Sequence, residues 1–307
     1  MRMNDQVLVD LTKVCDFLHE LLGRQLSKDS KDWLQQKLKE SKSAPSTKQL
    51  YLFFGTAPRF IPKTPLILTP EDTRRAHELR EGWHLEGWTT LQLARILAVL
   101  SYPYVDHRDF TKIVEQLFTT AEMLELVALY SALPLYPYPE SMLLRAAEGI
   151  RTNMTVVFDA VALRNPFPHD FLSEGAWNQM VLKALFMERP LHQVWGIDQR
   201  SNAPLAKMIS NFAHERWAAG RSTSPEMWRP IKGQHVTLVL EDLRHLFTLD
   251  DPLQHTAAVL TCRDLDNPEC RDVLSDFQTK VEQVDLANWS WESLGQYYWR
   301  LKDIPAN

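Results

Sequence analysis

Apolar residues recur at spacings of three and four along most of the chain, which is the period of an amphipathic α-helix. No alternating run competes, since the short β-branched stretches at 155–158 and 236–239 lie inside longer helical patterns. Residues 49–68 mix aromatic side chains with prolines and predict an irregular packed segment. The pattern predicts an all-α fold of stacked antiparallel helices, similar to an α-solenoid. Helices are predicted at 7–26, 28–42, 70–81, 89–101, 106–119, 121–131, 139–165 with a candidate break at 151–153, 174–188, 204–220, 235–247, 253–264, 267–281 and 289–301, and a short turn at 225–228.

Helix-start signals divide the chain further. Thr69-Pro70-Glu71-Asp72 supplies a capping hydroxyl, a proline suited to the first turn and two acids near the positive end of the helix dipole. In the tail, Asp251-Pro252 and Asn267-Pro268 each precede an amphipathic helix, and such consecutive units resemble the helical pairs of a HEAT-like solenoid. We therefore predict an N-terminal helical extension (1–68), a helical core (69–233) and a HEAT-like C-terminal part (234–307).

Composition narrows the functional classes. A net charge of −5 gives no electrostatic reason to expect nucleic acid or an anionic membrane surface. The scarcity of glycine disfavours a phosphate-binding loop, and the three cysteines fit neither a disulfide scaffold nor a zinc site. The sequence begins without a signal-peptide pattern and contains no apolar run long enough for a membrane span. We expect a cytoplasmic protein with no cofactor, no metal and no nucleic-acid partner.

Polar residues within otherwise apolar helical patterns concentrate between positions 165 and 221. His214-Glu215 starts like the zinc-protease motif, but the position of its second histidine is Ala218, so that class is rejected. Helical spacing puts Asn211, His214 and Arg221 on one face, which is either a solvated or capping surface or the polar wall of a pocket. The sequence leaves both interpretations open.

Two further sets of polar residues were considered. Arg145 and Glu148 have the spacing of an ordinary surface ion pair, or they belong to an interior polar network. Asp198 and Arg200 are expected to brace the loop before a helix that Asn202 caps. Serine- and cysteine-triad, dinucleotide-binding and Walker motifs are absent from the sequence, so no motif demonstrates chemistry.

Several long motifs identify a family resemblance. The segments are RAAEGIRTNM at 145–154, NPFP at 165–168, AWNQMVLKALF at 176–186, AHERWAAGR at 213–221 and PEMWR at 225–229. In this order they resemble the EboA family, over roughly 89–232. The resemblance implies a bacterial secondary-metabolite cluster that moves precursors towards the periplasm. It also implies companion proteins in the cluster, including one similar to a membrane prenyltransferase, and allows a location at the inner membrane surface.

Two hypotheses follow from the residues and the resemblance. In the first, a non-catalytic scaffold binds a small polar metabolite, or other proteins of the cluster, and passes the metabolite on. In the second, an enzyme acts on a polyhydroxylated or phosphorylated intermediate, with arginines as anion binders. The candidate acid–base residues are His214, Glu215 and Glu148. The candidate ligand-binding residues are Arg145, Arg151, Asn153, Asn178, Asp198, Arg200, Asn211 and Arg221.

The aromatic cluster at the C-terminus allows two roles. Trp289, Trp291 and Trp299 lie with two tyrosines in the last predicted helix. Membrane docking is disfavoured because the chain is acidic and the cluster lacks flanking lysines. We expect this helix to cap the last helical layer.

Overall fold

A computed structural model describes residues 9–263 and 267–302 of the chain. The predicted helix start at position 7, the predicted helix end at position 264 and the signal-peptide assessment of the first eight residues lie outside these ranges. The described residues form an all-α fold without a named strand, as predicted. Pro65 and Thr89 form an isolated antiparallel bridge. The chain divides into two compact units, one ending at Phe171 and the other starting at Leu172. The three-segment division and the HEAT-like character of the tail stay predictions.

The first unit is built around one buried helix. Every residue of α5, Thr90–Leu100, is buried, and its side chains are apolar except for Thr90, Gln92 and Arg95. α1, α3 and α7 pack against it, and α9 packs against both α7 and α8. The helices of this unit are α1 Leu11–Gln25, α2 Lys28–Ser43, α3 Thr47–Thr56, α4 Pro70–Leu79, α5 Thr90–Leu100, α6 His107–Thr120, α7 Met123–Ser131, α8 Leu143–Arg151, α9 Thr155–Ala162 and α10 Phe167–Phe171, with 3-10 turns at Ala57–Arg59, Leu133–Leu135 and Pro139–Met142.

The second unit repeats this plan around a different helix. α14 is buried continuously from Gln254 to Cys262, and α13, α15 and α17 pack against it. α17, the predicted C-terminal aromatic helix, also contacts the 3-10 turn Pro225–Trp228. The helices of this unit are α11 Glu174–Phe186, α12 Ala203–Ala218, α13 Leu240–Thr248, α14 Pro252–Arg263, α15 Pro268–Asp276, α16 Gln278–Glu282 and α17 Trp291–Leu301, with further 3-10 turns at Leu191–Gln193 and Gly233–Leu238.

Three predicted elements differ from the structure. Residues 49–68 were predicted to be irregular, but α3 occupies their first part, because Leu50, Phe53 and Phe54 share one buried face and the prolines come only after the helix. By contrast, the candidate break in the predicted helix 139–165 is confirmed: α8 and α9 are separated at 152–154, where the Thr152 hydroxyl accepts a hydrogen bond from the Met154 N–H at 3.1 Å. The predicted helices 235–247 and 267–281 each split into two shorter elements.

Candidate functional site

A cavity of about 380 Å³ lies in the first unit, where α2, α3 and α5 meet. This volume falls in the range of small-molecule sites, about 300–1,000 Å³. The void has a local cause, because α2 and α5 contribute the short side chains of Ser41 and Ala98 to its lining and no larger side chain from the described part of the chain fills the space. The lining residues are Lys37, Leu38, Glu40, Ser41, Gln49, Leu50, Leu52, Phe53, Thr56 and Ala98.

Half of the residues that line the cavity are apolar, and most of these are firmly held. Leu50, Phe53 and Ala98 are each at most 5% exposed, whereas Leu52 at the rim is 53% exposed. The Phe53 ring stacks on Trp33 with 5.1 Å between centroids, and Trp33 stacks on Phe60 at 4.6 Å. The aromatic stack therefore supports the wall from behind, which favours a preformed site over one that closes on a ligand.

The charges at the cavity neutralise each other. Lys37 Nζ lies 2.7 Å from a carboxylate oxygen of Glu40, and Gln36 donates a hydrogen bond to the other oxygen at 2.8 Å. The hydrogen bonds from Lys37 and Gln36 lower the pKa of Glu40. By contrast, Ser41 Oγ is buried and has no hydrogen-bond partner among the described residues. Leaving a buried hydroxyl without a partner costs about 1–3 kcal/mol.

The candidate residues Arg145, Arg151, Asn153 and Glu148 all belong to the first unit. Arg145 on α8 forms ion pairs with Glu115 of α6 at 2.5 Å and with Glu148 at 2.8 Å. The predicted Arg145–Glu148 surface pair is present, and the additional pair with Glu115 links α8 to α6. Arg151 and Asn153 are exposed beside the break after α8. Glu148 therefore neutralises Arg145.

Asn178 and Arg200 lie in one polar cluster of the second unit. Asn202 caps α12 as predicted, accepting a hydrogen bond from the Leu205 N–H at 2.8 Å. The Asn178 and Asn202 side-chain amides exchange two hydrogen bonds of 2.9 Å. The Arg200 guanidinium lies 4.8 Å from the ring centre of Trp177. This cluster ties the start of α12 to α11.

Asp198 pairs with different residues than expected. Its carboxylate binds Arg229 at 2.8 Å and Lys232 at 2.9 Å, rather than Arg200. Burial raises the pKa of Asp198, but the hydrogen bonds and charges of Arg229 and Lys232 outweigh burial and lower it. Arg229 and Lys232 belong to the stretch that follows the Pro225–Trp228 turn, so Asp198 anchors that stretch.

His214 also has an unexpected partner. Its Nε2 lies 2.6 Å from an oxygen of Asp242 on α13, while the imidazole remains 59% exposed. Asp242 is buried, and its second oxygen has no hydrogen-bond partner in the described part of the chain. Glu215 and Asn211 are exposed on α12. The prediction that Arg221 shares their helical face is wrong, because α12 ends at Ala218 and Gly220 turns the chain with φ +66°.

One buried polar network was missed from the sequence. Glu226 is fully buried and accepts hydrogen bonds from the His192 N–H at 2.7 Å and from the Trp299 indole. His192 Nδ1 lies 2.9 Å from the same carboxylate. A Cβ at Gly295 would stand 2.6 Å from His192 Nδ1, so only glycine lets α17 approach this closely. The sequence signal was a glutamate between Pro225 and Met227, in a stretch that is otherwise apolar.

The candidate residues thus do not converge on one site in either unit. Arg145, Arg151, Asn153 and Glu148 lie in the first unit, and the others lie in the second. Among residues 9–263 and 267–302, no group of three or more His, Cys, Asp or Glu side chains could hold a metal ion. In the same ranges, no helix is both long and apolar enough to cross a bilayer.

This geometry defines a class of protein: an all-α protein with a preformed cavity of the size that binds small molecules. Comparison with protein families adds that the chain belongs to the EboA family, described as "Metabolite traffic protein EboA", with residues 14–232 matched. The match begins well before position 89, so it includes the helices around the cavity. No curated protein and no solved structure matches the chain.

Proposed function

We propose that this protein binds a small metabolite in the cavity between α2, α3 and α5 and passes it on without altering it. The observation that carries the proposal is the cavity itself, which has the size of a ligand site and an apolar wall held by buried side chains. The family's description, a metabolite traffic protein, fits such handling. The ligand-binding roles predicted for the polar residues of the later motifs stay predictions.

The remaining parts of the proposal come from the resemblance. The protein would act in the bacterial cytoplasm or at the inner membrane surface, within a secondary-metabolite cluster. It would hand its ligand to another protein of the cluster, such as the membrane prenyltransferase-like one, for movement towards the periplasm. Copurification of the tagged protein with that companion, enhanced by the metabolite, is the expected result. Reproducible absence of any complex would contradict transfer by direct contact.

Ligand binding can be measured without knowing the metabolite. The neutral dye N-phenyl-1-naphthylamine fluoresces in apolar sites, and we expect it to bind the purified full-length chain saturably at one site. Leu52→Asp places a charge on the rim of the cavity and should weaken dye binding by at least about fivefold, because a carboxylate beside an apolar ligand is costly to desolvate. Leu144→Asp is the matched control: Leu144 is 79% exposed on α8, and its substitution should leave binding unchanged.

Two results would overturn this assignment. Absence of saturable dye binding is the first, and equal weakening by both aspartate variants is the second. Light scattering on the same samples adds a check for a second copy of the chain in the cavity. We expect a scattering mass that is identical for the wild type and Leu52→Asp. If the wild type is a dimer and Leu52→Asp is a monomer, a second copy of the chain covers the site.

A second candidate function, an enzyme, rests on the pair of His214 and Asp242. A buried carboxylate that holds an exposed imidazole at 2.6 Å is the arrangement of an oriented acid–base histidine. Under this alternative, phosphorylated or polyhydroxylated compounds incubated with the protein would be converted, and His214→Ala would abolish the conversion. Under the binding proposal, mass spectrometry should recover such compounds unchanged.

A further inference from the structure

A basic stretch without acidic residues includes α3 and the segments on either side of it. No aspartate or glutamate occurs from position 41 to position 70, although the chain contains 39 acidic residues in 307. The cationic residues of this stretch are all exposed, and none of them forms an ion pair with a described residue: Lys42, Lys48, Arg59 and Lys63. The net charge of −5 for the whole chain therefore conceals a local excess of positive charge.

The exposed face of α3 combines these cations with apolar side chains. Four exposed residues recur at spacings of four, three and four along α3 and the 3-10 turn that continues it, and so share one face: Lys48, Leu52, Gly55 and Arg59. Leu52 is 53% exposed, and Phe60, the next residue after Arg59, is 45% exposed. The Phe60 ring stacks on Trp33 at 4.6 Å, which fixes its position at the surface.

The neighbouring acidic residues do not cancel this positive charge. Glu40 and Glu71 are the last acid before the stretch and the first acid after it. Each has a cation of its own, because Glu40 pairs with Lys37 at 2.7 Å and Glu71 pairs with Arg74 at 2.6 Å. α2, which packs against α3, carries five lysines and three acids, so it adds to the positive charge.

Cations beside exposed apolar side chains suit the surface of an anionic lipid bilayer. Lysine and arginine are attracted to the lipid head groups, and leucine and phenylalanine enter the boundary between head groups and acyl chains. A nucleic-acid duplex would use the cations but would leave Leu52 and Phe60 in water. A second copy of the chain would bring two equally basic faces together, which is electrostatically unfavourable.

We propose that the exposed face of α3, together with Phe60, docks on an anionic membrane surface. Leu52 also lines the cavity, so docking brings the cavity rim into contact with the lipid, and an apolar ligand can enter from the bilayer. This inference rests on the proposed function, which places the protein at the inner membrane surface. It adds the surface that makes the contact and the route by which the ligand arrives.

Cosedimentation with lipid vesicles tests the docking. We expect the purified full-length protein to sediment with vesicles of equal parts phosphatidylglycerol and phosphatidylcholine, and not with vesicles of phosphatidylcholine alone. Raising the ionic strength from about 0.1 M to about 1 M should release most of the bound protein, because the screening length falls from about 10 Å to about 3 Å. No sedimentation with the anionic vesicles, or equal sedimentation with both kinds, would overturn the inference.

Charge reversal locates the contact. The double variant Arg59→Glu and Lys63→Glu should bind anionic vesicles at least about 25-fold more weakly, because each cation near the surface contributes about fivefold. The matched control is Arg108→Glu with Lys112→Glu, which changes the net charge equally at two exposed residues of α6 without ion pairs to described residues. It should bind almost as well as the wild type. Equal weakening by the two double variants would overturn the inference.

The apolar contribution has its own matched pair. Leu52→Asp should weaken vesicle binding, whereas Leu144→Asp, at the 79% exposed position on α8, should not. Equal binding by these two variants would contradict insertion of this face.

Two further readouts separate the alternatives. If the protein binds a DNA duplex but no vesicles, and the Arg59→Glu and Lys63→Glu variant loses that binding, the face belongs to nucleic acid and the inference is overturned. Dye binding reports on the proposed function separately. A protein that binds the dye but no vesicles fails this inference alone, whereas one that binds vesicles but no dye fails the cavity assignment and supports the docking.

Discussion

Gly295→Ala should destabilise the second unit, although alanine is the better helix former. The added Cβ would lie 2.6 Å from His192 Nδ1 and 2.8 Å from Glu226 Cδ, which is closer than packed atoms approach. α17 or the Glu226 carboxylate must then move. Movement weakens hydrogen bonds from the His192 N–H, His192 Nδ1 and the Trp299 indole, all directed at a fully buried carboxylate.

The magnitude follows from these contacts. A hydrogen bond to a charged group contributes about 1.5–3 kcal/mol, and we expect the loss of one or two of them. Replacing an interior helical glycine with alanine returns about 1 kcal/mol through helix propensity. The net expectation is a loss of about 0.5–5 kcal/mol, against the about 5–15 kcal/mol that stabilises a typical folded domain.

Urea unfolding followed by tryptophan fluorescence, combined with hydrogen exchange of peptides from α17, measures the effect. Gly295→Ala should unfold at lower urea concentration, and α17 should exchange faster. Gly175→Ala in α11 and Gly23→Ala in α1 are controls, because a Cβ at either position meets nothing within 4 Å, and each should stabilise by about 0.5–1 kcal/mol. Equal or greater stability of Gly295→Ala would refute the close-packing argument.

Two further predictions concern the same unit. The pKa of Asp198 is lowered from its ordinary value of 3.8. The ion pairs of Asp198 therefore stabilise the fold fully at pH values above 3.8, and this stabilisation is lost as the pH falls through the lowered pKa. Asp198→Asn should lower the free energy of unfolding by about 2 kcal/mol at pH 7. Between pH 5 and pH 3, the urea midpoint of the variant should fall less than that of the wild type. An equal fall in both proteins would contradict this prediction. Glu188, just after the end of α11, has φ +52°, a conformation that glycine adopts more easily than other residues. Glu188→Gly should therefore stabilise the protein by about 0.5 kcal/mol and raise its melting temperature. A lower melting temperature would contradict this prediction.

Helix starts were the most predictable features, because capping is a local interaction. Thr69 accepts a hydrogen bond from the Asp72 N–H, as predicted, and Asp72 also accepts one from the Thr69 N–H, which the sequence analysis did not predict. Asn267 likewise accepts from the N–H groups of Glu269 and Cys270. Helix interruptions were less predictable. Gly220 ends α12 before Arg221, because a glycine at positive φ redirects the chain at little cost.

The cavity could not be predicted, because it is a property of three helices together. Ser41 and Ala98 are far apart in sequence, and nothing local shows that both short side chains face one void. The network of His192, Glu226 and Trp299 was hidden for the same reason, since it joins residues from three separate segments. His214 was identified as chemically interesting, but its partner Asp242 lies in the following helix rather than beside it.

The most direct test of the account is to locate the bound ligand. Hydrogen exchange of the full-length protein should be measured with and without saturating N-phenyl-1-naphthylamine. We predict added protection in peptides that cover residues 37–56 and Ala98, with no change around α12 and α13. Protection confined to other helices, or no protection at dye concentrations that saturate the protein, would contradict the assignment of this cavity as the metabolite site.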